Sequence, residues 1–208
     1  MKTNTPHDSA HTHVTGASEY VDDRPMLPGE LFVGCYYSKV AHGKITRLNT
    51  KKAMAIPGVR AVVTADDVSH NAWGPIFQDQ PIIAAGVVRF AGEVIAVVGA
   101  TSMEALRQGL AAIECDLAPL PRVMTIRQAI DARSFIGDER FIRRGNAGEA
   151  IQKSAHKLKG TLRIKGADHF YLENQSCVAY PREAGQMEVH SSTQHPTETQ
   201  HVVAEALG

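Results

Sequence analysis

Cysteine is scarce: the 208 residues hold three, Cys35, Cys115 and Cys177, far apart and with no Cys-x-x-Cys pair. That spacing argues against a disulfide framework, a zinc knuckle or an iron–sulfur cluster. Each lies in an apolar segment, where a cysteine is expected to behave as a small hydrophobe in a reducing, cytoplasmic setting. Excess charge is missing too. Lys+Arg and Asp+Glu both number 22, so no strong field draws the chain to nucleic acid or to an anionic membrane. The basic group Arg140, Arg143 and Arg144 reads as a solvated face. No run approaches the ~20 apolar residues of a membrane span. The first 19 residues are polar and contain no secretory signal, so the tail is expected to be partly disordered. Nucleophile elbow, P-loop, dinucleotide glycine fingerprint and zinc-protease motif are all absent.

What is present suits a folded domain. Hydrophobic residues make up 43% and charged residues 21%, enough to bury a core. Leu31–Val40 reads as a strand rich in β-formers. Lys44–Asn49 follows as a short strand. Thr50 opens a helix that ends before Pro57-Gly58. Val59–Thr64 returns as a strand, and Ala65-Asp66-Asp67-Val68 turns away. This strand–helix–strand rhythm suggests an α/β layer. Residues 69–86 read as a long loop, with Asn71, Gly74, Pro75 and Pro81. Glu93–Gly99 is a buried strand. Thr101 and Glu104 suggest a capping box for a helix over Ser102–Ile113. Cys115-Asp116-Leu117 leads out towards Pro119 and Pro121.

Residues 134–147 have the character of a linker. Gly148–Lys157 has helical spacing, and Lys157–Ile164 turns to period-two alternation. Glu173–Tyr180 and Gln186–Ser192 read as two strands joined by a longer hairpin connection. Pro196 opens a helix through Leu207, with Gly208 as its C-cap. A hairpin plus one helix is marginal alone, so this last unit reads as unfinished.

Candidate chemistry is thin. His169 and Glu173, four apart, would share a face if helical. A strand-entry turn with a satisfied histidine is the competing reading. His190, His195 and His201 match no common metal spacing, and neither His11 nor His13 has fixed partner ligands, so no metal residues are assigned. Ser191–Gln194 offers hydrogen-bonding groups before a helix. It can meet an anion or a cofactor edge, or simply cap that helix.

Four stretches, in order, resemble the molybdopterin-binding chain of the xanthine dehydrogenase/aldehyde oxidase family. They are Thr15 to Asp23; Ala41-His42-Gly43-Lys44-Ile45 with Ile56-Pro57-Gly58-Val59 and Thr64-Ala65-Asp66-Asp67-Val68; Phe90 to Val98 with Pro119-Leu120-Pro121; and Gly166 to Glu173 with Ser192-Thr193-Gln194-His195-Pro196. The resemblance implies an α+β fold, mixed α/β in content. It would run as a flexible arm over 1–14, an a/b hammerhead domain over 15–133, a linker over 134–147, and over 148–208 an incomplete first part of the molybdenum-cofactor-binding domain.

It further implies hydroxylation of an electron-poor carbon in a purine, another heteroaromatic or an aldehyde. In such enzymes a metal-bound hydroxyl, with a glutamate as base, attacks while hydride passes to a sulfido ligand. Electrons then leave through iron–sulfur clusters and FAD, carried here by partner chains. Cofactor-facing residues carried over by position are Gly166, Ala167, His169, Phe170 and Gln194. The family usually has glutamine where Ala167 stands, and alanine has no donor or acceptor. The family's glycine-rich cofactor loop, substrate-orienting arginine and catalytic glutamate lie downstream of the matched region. No catalytic residue is therefore expected in this chain, nor turnover or bound molybdopterin in the chain alone. Its expected partners are the remaining molybdenum-binding portion, an FAD subunit, an iron–sulfur subunit and a small-molecule substrate. The alternative is a non-catalytic assembly or docking module for the FAD and iron–sulfur subunits. An independent small-molecule binder, with the 69–86 loop over a pocket, is a third reading.

Overall fold

The structure is a computed structural model that describes residues 7–171 and 174–208. The chain forms two compact units. The first takes in residues 1–122 and 173–208, the second residues 123–172.

The first unit is organised by one strand. The segment Val-Ile-Ala-Val-Val-Gly-Ala is apolar throughout, the pattern of a strand covered on both faces. It forms β5 (Val94–Ala100), the centre of a three-stranded antiparallel sheet between β1 (Phe32–Tyr37) and β3 (Val59–Val63). A second antiparallel sheet has the order β4 (Val87–Val88), β2 (Gly43–Asn49), β6 (Glu114–Pro119). Alternate residues of β5 serve two clusters. Ala96, Val98 and Ala100 pack with Ala53, Ala105, Leu106 and Ile113. Ile95 packs with Ala84, Val88 and the second sheet's Ile45 and Leu117. The sequence rhythm suggested an α/β layer, but every strand pair is antiparallel. The helices α2 (Lys51–Met54) and α3 (Met103–Ala111) each link strands of different sheets, so no parallel crossover arises.

Helix α3 starts one residue later than the capping-box reading implies. Ser102, extended at φ −150°, accepts the Ala105 N–H at 3.1 Å. Glu104 instead accepts from Arg107 at 2.7 Å and Gln108 at 2.8 Å. The Arg107 hydrogen bond, then that of Gln108, holds the Glu104 carboxyl below the usual carboxylate range. The buried stripe is Ala105, Leu106 and Gly109. At Gly109 a Cβ would lie 2.9 Å from Val59 Cγ2 and 3.1 Å from Val98 Cγ1. Gly109→Ala gains up to about 1 kcal/mol of helix propensity but loses it to this crowding. Gly109→Leu has no such room. It is expected to destabilise the chain by about 1–3 kcal/mol, read as a lower denaturation midpoint in urea, whereas an unchanged midpoint would mean that α3 can lift freely off the sheet.

Besides the two-residue strand β4, three elements were not read from the sequence. Strand β6 pairs along almost all of β2, from Pro119 to Glu114. Its alternation of Ile113, Cys115 and Leu117 is the signal that would have found it. The tail contains a short helix, α1 (Ala10–Thr15), ended by Gly16 in the left-handed region. The third is α4 (Ile126–Asp131), announced by Thr125-x-x-Gln128. The Thr125 hydroxyl accepts the Gln128 N–H, and the Gln128 carboxamide oxygen accepts the Met124 and Thr125 N–H groups. The second unit also holds α5 (Ala147–Lys153), capped by Asn146. No strand forms over Lys157–Ile164. Cys35 and Cys115 are half-buried, but Cys177 is exposed, contrary to the reading of all three as buried hydrophobes. Among the described residues, no helix is long and apolar enough to cross a membrane.

Candidate functional site

The end of the first unit is a hairpin, β7 (Cys177–Pro181) with β8 (Met187–Ser191), followed by α6 (Pro196–Leu207). Both strands start later than the sequence suggested, and β8 also ends one residue earlier. The Ser176 N–H donates to Ser192 Oγ at 3.1 Å, and Ser192 Oγ–H donates to the Asn174 carbonyl at 3.0 Å. The helix begins at Pro196, with His195 as an N-cap whose side chain makes no capping bond. Two residues earlier, the Thr193 hydroxyl accepts the His195 N–H at 3.0 Å.

The segment before β1 contacts the hairpin through Asp22 and Arg24. Asn174 Nδ2 donates to Asp22 at 3.0 Å. The Arg24 guanidinium sits 5.5 Å above the ring of the buried Tyr180, and that of Arg182 sits 5.8 Å away. Beside them, His190 bonds Glu188 at 2.6 Å, and Arg182 Nε donates to Glu188 at 2.8 Å. The Arg182 bond, then the His190 bond, holds the Glu188 carboxyl below its ordinary range. A carboxyl lowered on folding contributes stability above its unfolded value of about 4.3, and loses it as pH falls through the folded value. Amide exchange across β7 and β8 is therefore expected to quicken as pH drops below about 4, once corrected for intrinsic rates. Glu188→Gln should flatten that dependence. A hairpin equally protected at all pH values would show that these bonds do not hold it.

The 69–86 loop leans over the start of α6. Trp73 and Gln78 from the loop, with Gln194, His195, Glu198 and His201, line a cleft of about 530 Å³. Asn71 pins the loop, donating to the Ile83 carbonyl at 2.7 Å and accepting the Ile83 N–H at 2.9 Å. Trp73 and Gln80 exchange backbone bonds at 2.6 and 3.0 Å. Between them Gly74 has φ +157°, and a Cβ there would lie 1.8 Å from the Phe77 carbonyl oxygen. Gly74→Ala is expected to break the Trp73–Gln80 bridge. Trp73 is the chain's single tryptophan, so its emission should shift to the red; an unshifted spectrum would mean that the loop stays closed.

The carried-over residues fall into both units. Gln194 is exposed at the rim of this cleft. Gly166, Ala167, His169 and Phe170 belong to the second unit, in an exposed stretch without helix or strand. Phe170 is 94% exposed and held at φ +48°, its N–H donated to Asp168 Oδ1 at 3.3 Å. That is an aspartate-stabilised turn, so His169 is not on a helix. Glu173 lies outside the described residues. Among the described residues, no group of three or more His, Cys, Asp or Glu side chains is placed to share a metal ion, and no buried side-chain polar atom lacks a partner.

The comparisons with known proteins decide the family. Residues 15–121 match the a/b hammerhead domain of aldehyde oxidase and xanthine dehydrogenase. The chain belongs to that family. Residues 133–208 match the molybdopterin cofactor-binding domain. The xanthine dehydrogenase of Emericella nidulans is 39% identical over 207 residues, covering 98% of this chain and 15% of that protein. The nicotinate hydroxylase of the same organism is 39% identical over 201 residues, covering 94% and 15%. The aldehyde oxidoreductase of Desulfovibrio gigas superposes with a TM-score of 0.85 at 25% identity, over 98% of this chain and 25% of that one. The chain thus spans about a seventh of the length of the relatives it matches in sequence.

Toward a molybdopterin group Ala167 brings no polar side-chain atom, and the 166–170 stretch is open to solvent.

Proposed function

We propose that the chain is the N-terminal portion of the molybdenum-cofactor subunit of a xanthine dehydrogenase-like hydroxylase, acting on purines, other heteroaromatics or aldehydes only once the rest of the cofactor-binding domain joins it. The supporting observation is the pair of consecutive family matches over residues 15–121 and 133–208. On this reading residues 1–14 are the arm, 15–133 the hammerhead, 134–147 the linker and 148–208 the start of the cofactor-binding domain. Gly166, Ala167, His169, Phe170 and Gln194 line the cofactor's side of the assembly, with FAD and iron–sulfur clusters on partner chains in the cytoplasm. The three scattered cysteines favour that division of labour.

A second reading has one observation behind it. The packed core around β5 is complete without the second unit, so the hammerhead can serve as a non-catalytic docking module for the FAD and iron–sulfur subunits. Affinity capture from the native cells, with mass spectrometry, separates the two. A companion carrying the remaining molybdopterin-binding polypeptide supports the enzyme portion; FAD and iron–sulfur subunits without it support the docking module.

A further inference from the structure

Two histidine rings meet at the first helix. His7 precedes α1 and His13 lies within it. A tight turn brings them together: the Ala10 N–H donates to the His7 carbonyl at 2.9 Å, and the His13 N–H to the Ser9 carbonyl at 3.0 Å. The ring centres are 6.0 Å apart and tilted by 38°. Both residues are exposed, and both lie outside the stretches matched to known domains.

The hydrogen bonds around His13 fix its tautomer. The Thr12 hydroxyl donates to the Ser9 carbonyl at 2.9 Å, so its oxygen accepts from the Ser18 hydroxyl, also at 2.9 Å. That uses the single Ser18 hydroxyl proton. The 2.9 Å contact between Ser18 Oγ and His13 Nδ1 is therefore donated by Nδ1–H. In the neutral ring the free lone pair is then on Nε2. A histidine that gives one ring N–H to a fixed oxygen and keeps the other nitrogen bare is arranged as a metal-ligating histidine is.

His7 is held the other way. Its Nδ1 accepts the Ser9 N–H at 3.1 Å, so its neutral ring carries the proton on Nε2. Coordination at either nitrogen of His7 gives up that bond: at Nδ1 the ion takes the lone pair, and at Nε2 the proton must move to Nδ1. The bond is exposed, so water replaces it readily. With metal–nitrogen bonds of about 2.1 Å, each ring centre lies roughly 3.2 Å from a bound ion, and rings up to roughly 6.4 Å apart can share one. The observed spacing falls inside that reach. No group of three or more such ligands is placed together among the described residues, so water completes the coordination.

We propose that His7 and His13 form a two-histidine site for a late first-row divalent cation such as zinc, the class that imidazole ligands suit. The ion clasps the segment before α1 onto the helix. At six residues α1 is too short to be stable by itself, and an ion that binds only the folded turn stabilises it.

The test adds zinc chloride to the full 208-residue chain with its thiols reduced, followed by calorimetry and by amide NMR. The expected result is one site that weakens at least tenfold in His7→Gln and in His13→Gln and is unchanged in His11→Gln and Cys177→Ser. Ser18→Ala should weaken it about tenfold, because His13 loses the oxygen that orients it. The Ser9 amide resonance should move on zinc addition, since its N–H loses the His7 acceptor, and amide exchange over residues 10–18 should slow. All these side chains except Ser18 are exposed, so the zinc-free melting transition should stay in place. No zinc binding, equal binding in both histidine variants, or binding lost in Cys177→Ser would each overturn the site. The proposed function is untouched by any of these outcomes, because neither histidine belongs to the cofactor-binding match.

Discussion

Ile95→Ala is expected to cost about 2–5 kcal/mol of stability, a large part of what a domain of this size has to lose. Ile95 is fully buried and belongs to the central strand β5. It is one of only three buried residues in the cluster joining the two sheets, the others being Ala84 and Val88. Alanine leaves a cavity between two sheets whose backbones are fixed by β1, β3 and β2, so little can collapse into it. Ile95→Val removes one methylene and should cost about 0.5–1.5 kcal/mol. Urea denaturation of the purified chain gives both values. Near-equal midpoints for wild type and Ile95→Ala would mean that the sheets are not held face to face through this residue.

The second large effect is expected at Ala167. The family resemblance gives this position a glutamine in most members, and Ala167 is exposed in this chain. Under the proposed function, Ala167→Gln brings a side-chain amide to the reacting centre of the assembled enzyme. One preorganised hydrogen bond there is worth roughly a hundredfold in rate, so kcat of the assembly should rise by about that factor. Glutamine at an exposed site should leave the melting transition and the molybdenum content unchanged. An equal rise with Ala167→Leu would assign the effect to packing, and no rise with glutamine would remove residue 167 from the reacting centre.

Much of the first unit was readable because its elements carry local signals. The seven apolar residues of β5 permit little but a buried strand, and Pro196 announces α6. What escaped depended on distant partners. Strand β6 looks like an exit loop until β2 lies beside it, since half its side chains face solvent. The start of α3 turned on which of two adjacent hydroxyl residues caps it: Ser102 accepts the Ala105 N–H, while Thr101 donates its N–H to the Gly58 carbonyl. The sequence reading set the 69–86 loop over a pocket but missed the opposite wall, because the start of α6 that supplies it lies far along the chain. The assignment of Gly166, Ala167, His169, Phe170 and Gln194 to the cofactor rests on resemblance alone. Burial, unpaired polar atoms or a converging set of ligands would have marked them physically, and Gly166 to Phe170 show none of these.

The most direct test of the account is molybdenum stoichiometry. The chain would be produced in cells that make the molybdenum cofactor, once alone and once with the polypeptide completing the cofactor-binding domain, and the metal counted by elemental analysis. The account predicts no bound molybdenum in the chain alone and about one atom per assembly. A stoichiometric molybdenum signal in the chain alone would contradict it.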